Sequence, residues 1–377
     1  MLLNEDQIMI RDTARRFAAA RLIPNSGHWD ETGHFPRDVI DEMGALGFLG
    51  MLVPEEWGGT PTGMVAYAAA LEEIAAGNGA VSTIMSVHNS VGCAPILRFG
   101  NDALREKFLQ PMARGQALGA FCLTEPQAGS DASALRTRAI RTGDGWRLDG
   151  VKQFITSGRN ADIAIVFAVT DPGAGKKGIS AFIVPTDTPG WTVISTENKA
   201  GQHLSDTAQI ALEGVEIPAE NLLGDEGQGY GIALSNLEGG RIGIAAQSVG
   251  MARAALEAAL AYAQERQSMG KRLIDHQAVA FRLADMATGV EAGRQMVLHA
   301  ASLKDAGQPA LQAASMAKLF ASEMAEKVAS AAIQTFGGYG YSRECPVERI
   351  WRDVRVTQIY EGTSDIQRIV IARSLAA

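Results

Sequence analysis

A single carboxylate, Glu361, stands between Tyr360 and Gly362 in the stretch QIYEGTSDIQR, residues 358–368. An acid in such a place can act as a general base when burial and a bound ligand raise its pKa. The residues after it start a helix, which Thr363 or Ser364 can cap, and Ser364-Asp-Ile-Gln367 fits a capping box. The plainer alternative is a surface charge favoured by the helix dipole. A second chemical candidate is FCLTEPQAGSD, residues 121–131, where an apolar run ends abruptly in Thr-Glu-Pro. Small hydroxyl residues and a glycine at a strand exit leave backbone N–H groups and hydroxyls free for a polar ligand edge. An ordinary turn is the other reading of those residues.

Other motifs carry less. The run Gly173-Ala-Gly-Lys-Lys-Gly178 misses the spacing of a phosphate loop and no helix follows it, so it reads as a connection between strands. No G-x-G-x-x-G opens a helix after a strand, which argues against a Rossmann dinucleotide site. The three cysteines, Cys93, Cys122 and Cys345, are far apart and outside C-x-x-C spacing. They suggest neither a disulfide framework nor a metal site, and a reducing compartment fits them.

These groups need a frame. With 377 residues, 46% of them hydrophobic and 20% charged, the chain has the composition of a soluble globular protein with room for two or three domains. The 42 acidic and 34 basic side chains leave a net charge of −8, the wrong sign for binding nucleic acid. No uninterrupted apolar run approaches 18 residues, so no membrane span is expected. Acids among the first residues and the lack of a long apolar run resemble neither a secretory signal nor a transit peptide. A cytoplasmic location is expected, or the mitochondrial matrix for a processed eukaryotic chain.

Three zones follow one another along the chain. Residues 1–115 are helical in pattern, punctuated by prolines and by Gly58-Gly59. Residues 116–225 break into short β-rich runs, LGAFCL, RAIRT, WRLDG, IAIVFAV, ISAFIV, WTVIS and QIALEGVEI, at barrel- or sandwich-like spacing. Residues 226–377 return to long alanine-rich helices. There Leu283, Met286, Val290, Val297 and Ala301, then Met316, Phe320, Met324 and Val328, recur as in antiparallel bundle helices. Breaks are expected at Gly307-Gln308-Pro309 and Gly337-Gly338. The fold class expected is α+β and multidomain, with an N-terminal helical domain, a middle β-barrel domain and a C-terminal four-helix-bundle-like domain.

Five stretches in this order, FCLTEPQAGSD, KQFITSG, LEGGRIGIAAQ, QTFGGYGY and YEGTSDIQR, resemble the acyl-CoA dehydrogenase family over almost the whole chain. The GRIGIAAQ wording is most similar to its short-chain and short/branched-chain members. The resemblance implies FAD bound between the β domain and the C-terminal helices. Phe121, Leu123, Thr124, Gly129 and Ser130 would line the flavin, Ser130 facing the CoA moiety as well. Phe154 stands where the family usually has a flavin-stacking tryptophan; it keeps the aromatic face and loses the indole N–H. Thr156 follows it. Arg266 and Gln277 match positions that reach FAD phosphates and ribityl groups, often of a neighbouring subunit, and Met269 replaces the usual phenylalanine nearby. Gln334, Gly337 and Gly338 would approach the cofactor from the same side, with Thr363 and Asp365 also near it.

The same resemblance implies Glu238 and Arg241 as contacts of the CoA part of the substrate, with Tyr360 and Gly362 beside the thioester. Glu361 would remove the α-proton, flavin N5 would accept the hydride, and electrons would pass to an electron-transfer flavoprotein. Some relatives place the catalytic glutamate at the position of Gly240, so Glu361 has no rival here. A homotetramer is implied. An acyl-CoA oxidase-type flavoenzyme and a non-catalytic relative with the same fold are the alternative readings.

Overall fold

The structure is a computed structural model that describes residues 2–376. Helix α1 (Glu5–Phe17) starts on a reciprocal cap, in which Asn4 Oδ1 accepts from Gln7 N and Gln7 Oε1 from Asn4 N. Helices α2 (Gly63–Gly77) and α3 (Gly79–Val87) meet at Asn78, whose side chain accepts from the N–H groups of Ala80 and Val81. The helical stretch Gly79–Phe99 has the length and hydropathy of a membrane span, yet 89% of its most apolar window is buried inside the protein. That apolarity belongs to the core.

Eight strands then form one mixed sheet: β1 (Gly119–Cys122), β2 (Arg138–Thr142), β3 (Gly145–Thr156), β4 (Ile163–Val169), β5 (Ile179–Pro185), β6 (Trp191–Thr196), β7 (Thr207–Pro218) and β8 (Leu222–Leu223). Their order is β6-β7-β3-β2-β4-β5-β8, and β1 runs parallel to β4 from the Gly119–Ile163 pair. The uninterrupted apolar text of β4 has a simple cause. Ile163, Ile165 and Phe167 pack against Ile96, Leu109 and Met112, while Ala164, Val166 and Ala168 face Phe182, Ile210 and Leu212 in a second core. A strand buried on both faces needs no polar alternation. The Gly173–Gly178 run ends in a short 3-10 turn, Gly175–Gly178, leading into β5.

The C-terminal part contains α4 (Gly229–Glu265), α5 (Gln277–Asp305), α6 (Leu311–Phe336), α7 (Pro346–Val354) and α8 (Ser364–Ala376). A small ribbon, Gln267–Ser268 with Lys271–Arg272, turns through Met269 and Gly270, both with positive φ, and was not evident from sequence. Alanine and glycine let these helices approach closely; a Cβ on Gly250 would lie 2.1 Å from the Glu72 carbonyl on α2. Asp305 ends α5 by accepting from Met64 N and Val65 N, capping α2 across the bundle.

The expected four-residue stripe on α6 holds only in part. Met324 and Val328 are buried, but Phe320 is 38% exposed, and the buried face is Ala314, Ala317, Ala321 and Ala325. A strict step of four drifts around a 3.6-residue helix, so one side chain of the series turns outward.

Candidate active site

The turn that carries Glu361 is conformationally unusual. Glu361 has φ 52° and Gly362 φ 91°, two left-handed residues in succession. Glycine adopts this freely, whereas a glutamate there costs about 1–3 kcal/mol and must be held by its surroundings. Lys318 Nζ donates to the Gly362 carbonyl at 2.7 Å. Gln367 Nε2 donates to the same oxygen at 2.9 Å and to the Glu361 carbonyl at 3.3 Å. Thr363 caps α8, its Oγ1 accepting from Ile366 N. The expected Ser364–Gln367 capping box is therefore not formed, because Gln367 is spent on the two carbonyls of the turn.

Both Glu361 carboxylate oxygens are buried and neither has a hydrogen-bond partner. Burial pushes its pKa up to about 7 against the opposing pull of Lys318 and Arg241. The surface-charge alternative is thus excluded by geometry. The glycine at 240 also acquires a reason, since a Cβ there would lie 1.7 Å from Glu361 Oε2. One turn further along α4, a Cβ on Gly243 would lie 2.5 Å from Ser86 Oγ and 3.3 Å from Tyr67 Oη. Those two hydroxyls are buried and lack hydrogen-bond partners as well. Arg241 is also buried, with Nη1 3.5 Å from Ser315 Oγ and Nε unpartnered.

Tyr360 anchors the other side of the turn. Its hydroxyl donates to Gln247 Oε1 at 2.5 Å, while Gln247 Nε2 donates to the Gly79 carbonyl, Ser82 Oγ and Thr83 Oγ1. Thr83 bonds Gln202 Oε1, and Gln202 N donates to Asp353, a buried acid whose pKa burial raises to about 6. Four separate segments thereby fix the residue before the acid.

The FCLTEPQAGSD stretch leaves β1 and is tied down by a buried ion pair. Lys152 Nζ donates to Glu125 Oε1 at 2.8 Å and to the carbonyls of Phe167 and Leu123, while Glu125 also accepts from Arg136 N and Thr137 N. Gln153 N donates to the Thr124 carbonyl, joining this loop to KQFITSG. Phe154 lies at a register shift in β3 with φ 57° and is 61% exposed, so it is not a core phenylalanine. Phe121 packs edge-on against Phe167, Leu123 is buried, Thr124 and Thr156 are half-buried, and Gly129 and Ser130 are exposed, with open space where a Gly129 side chain would project.

A further group lies at the end of α6. Arg266, Gly337 and Gly338 line a cavity of about 640 Å³, with Tyr262 and Phe336 stacked in its wall and the Arg266 guanidinium 6.0 Å from the Tyr339 ring centre. Gln334 is exposed in the last turn of α6 and Gln277 opens α5. Glu238 pairs with Lys304 at 2.6 Å, and exposed Asp365 lies 3.5 Å from Arg368. Arg241 thus lies within electrostatic reach of Glu361, which Tyr360 and Gly362 flank; the Arg266 group forms a separate groove. No cluster of His, Cys, Asp or Glu suited to a metal occurs among the described residues.

Three family models match the chain: acyl-CoA dehydrogenase N-terminal domain over residues 4–116, middle domain over 120–215 and C-terminal domain over 227–376. The rat mitochondrial short-chain specific acyl-CoA dehydrogenase is 46% identical over 99% of this chain and 90% of its own length. Butyryl-CoA dehydrogenase from Megasphaera elsdenii superposes with a TM-score of 0.98 at 43% identity, covering 100% of both chains. A chain from a structural study of the electron transferring flavoprotein of Acidaminococcus fermentans and flavin-based electron bifurcation superposes with a TM-score of 0.98 at 46% identity, covering 100% of this chain and 99% of that one. The chain belongs to the acyl-CoA dehydrogenase family and is an FAD-dependent oxidoreductase.

The residues present suit that cofactor. The exposed Phe154 ring offers an aromatic face, open space at Gly129, Gly337 and Gly338 permits close backbone approach, and exposed Arg266 forms no ion pair among the described residues. A planar cation of that kind matches a pyrophosphate.

Several participants were missed from sequence. Lys318 follows Ala317 in an alanine-rich helix, on the phase that buries Ala314, Ala321 and Ala325. A lysine on the buried phase was the signal available. The Lys152–Glu125 pair, spanning 27 residues, and the bonds of Gln202 and Gln247 to Thr83 and Tyr360, spanning 113 to 164, had none.

Proposed function

We propose that the enzyme desaturates a short or short/branched-chain acyl-CoA to the trans-2-enoyl-CoA, with Glu361 as the α-proton base, and passes electrons to an electron-transfer flavoprotein. The observation that carries the assignment of the base is the buried, unpartnered Glu361 carboxylate lying against Gly240. A base with a pKa of about 7 is balanced between ionisation at neutral pH and affinity for the substrate proton. The Glu361 N–H donates to no backbone carbonyl among the described residues, which leaves it for the thioester oxygen as charge develops there. Gly362 gives that oxygen room.

Bound FAD supplies the two-electron acceptor whose N5 takes the β-hydride. In this reading Phe121, Leu123, Thr124, Gly129, Ser130, Phe154 and Thr156 hold the flavin end, with Thr363 and Asp365 near it. Arg266, Gln277, Gln334, Gly337 and Gly338 reach the phosphates and ribityl chain of a neighbouring subunit's FAD, in a homotetramer. Arg241 and Glu238 serve the CoA portion in this reading; Arg241 is buried, and Glu238 would act together with Lys304. In the same reading the zones 1–115, 116–225 and 226–377 are the three domains, and the location is cytoplasmic.

The short-chain assignment draws on the names of the relatives, the rat short-chain enzyme and the Megasphaera butyryl-CoA enzyme. Anaerobic addition of butyryl-CoA to the yellow holoenzyme should bleach the flavin, and longer acyl chains should bleach it more slowly. Glu361→Gln should bind FAD and stay yellow, with the rate down roughly 10²–10⁴-fold. Bleaching at the parent rate in that variant would remove Glu361 as the base, and turnover with molecular oxygen unaffected by electron-transfer flavoprotein would replace dehydrogenase by oxidase chemistry.

A further inference from the structure

Lys318 is fully buried, yet it forms no salt bridge among the described residues. A desolvated ammonium without a direct carboxylate partner is costly and calls for a reason. The Lys318 ammonium donates instead, at 2.7 Å, to the carbonyl of Gly362, the residue directly after the base. The peptide it grips is the second of the two left-handed residues, so this bond holds the turn in the conformation that points the Glu361 carboxylate at Gly240. Gln367 shares the same acceptor at 2.9 Å from the opposite helix. The strained turn is therefore clamped between α6 and α8.

The charge has a separate consequence. Of the groups packed around the Glu361 carboxylate, Lys318 on α6 and Arg241 on α4 are the two cations, and both favour its ionised form; Tyr67 on α2 and the adjacent Tyr360 are neutral phenols. Arg241 lies one residue from Gly240 and has an unpartnered Nε, whereas Lys318 is fixed by its bond to the turn itself.

We propose that Lys318 is a positioning residue for the base: its hydrogen bond to the Gly362 carbonyl sets the left-handed turn, and its buried charge keeps Glu361 ionised enough to accept a proton. This rests on Glu361 being the base. Burial lowers the ammonium's own pKa to about 8, so the cation is present at neutral pH and is lost as the pH rises through that value. The support it gives the ionised base weakens over the same range.

Two substitutions in the holoenzyme separate the two roles. Lys318→Met removes bond and charge from a side chain of similar length; Lys318→Gln removes the charge and keeps a donor for the carbonyl. With butyryl-CoA under anaerobic conditions, Lys318→Met should lower the bleaching rate roughly tenfold to a hundredfold, the scale of a misplaced reacting group. Lys318→Gln should recover part of that loss. Both should move the pH midpoint of bleaching upward, because an ionised carboxylate without a neighbouring cation is harder to form. Flavin content and thermal unfolding are read on the same samples. Parent rate and midpoint in Lys318→Met would overturn the proposal, as would a rate loss that only tracks flavin loss in both variants with an unmoved midpoint. Glu361→Gln is run alongside: bleaching at the parent rate there defeats the base, whereas a yellow Glu361→Gln with an unaffected Lys318→Met defeats Lys318 alone.

Discussion

Two glutamate carboxylates, each shielded from solvent and interacting with a buried lysine, are treated in opposite ways by this fold. Glu125 accepts from Lys152 at 2.8 Å and from two backbone N–H groups, and those partners hold its pKa down to about 2 despite burial. Glu361 has no hydrogen bond to either oxygen, its lysine bonds a carbonyl instead, and burial dominates to give about 7. Both carboxylates are shielded from solvent, and a difference between them that the hydrogen bonds show directly is where the donors point. Donors aimed at the carboxylate make a structural pin; donors aimed at the peptide beside it make a reactive acid held in place.

The largest way to test this contrast is to break the pin. Lys152→Met should leave Glu125 buried with its two N–H donors but no counter-ion, a change that costs about 3–5 kcal/mol. A fall in unfolding midpoint, read by urea titration of the holoenzyme, checks it. Flavin should also be lost from the variant, because the strand-exit loop that Glu125 ties is the one carrying Thr124 and Ser130.

The next effect concerns rate. Gly240→Ala puts a methyl carbon 1.7 Å from the position Glu361 Oε2 now holds, while alanine is the better helix former. The expected outcome is a roughly hundredfold slower bleaching with little loss of helix stability. Stopped-flow reduction compared with thermal unfolding separates the two. A variant that bleaches at the parent rate would show that the carboxylate can work from another position.

Opposite pKa shifts give opposite pH slopes of stability. Glu125 is depressed from 4.5, so its contribution is present above pH 4.5 and is lost as pH falls toward about 2. Glu361 is raised, so its folded form binds the proton more tightly than the unfolded chain; its contribution is complete below 4.5 and is lost as pH rises through about 7. Each slope is at most about 1.4 kcal/mol per pH unit. Glu361→Gln should remove the decline in unfolding temperature between pH 4.5 and 7, and Glu125→Gln the rise between pH 2 and 4.5.

What was readable in the sequence follows the same division. The α–β–α order, the strands and the helix breaks were legible because periodicity and turn residues are local, and β4 was found through its continuous apolar run. The five motifs brought Glu361 and Gly240 forward as a pair. Local text could not give the donors, however: Lys318 lies 44 residues from the carbonyl it holds and Gln202 is 158 residues from Tyr360. A polar contact between distant helices leaves no pattern in either helix alone. The Ser364–Gln367 capping box failed for the same reason, since a locally sensible partner had a better acceptor in the turn.

That failure supplies the smallest test. Thr363 Oγ1 accepts from Ile366 N at 3.3 Å, whereas Ser364 Oγ is buried without a partner. Thr363→Ala should cost about 1 kcal/mol through the lost cap, and Ser364→Ala should cost less, because no hydrogen bond is removed. The reverse order in unfolding titrations would restore Ser364 as the cap. In either variant Gln367 and Lys318 still hold the carbonyls of the turn, so the pH midpoint of bleaching should stay at its parent value. A cap acts on the helix that follows the acid; only donors that reach the turn itself act on the acid.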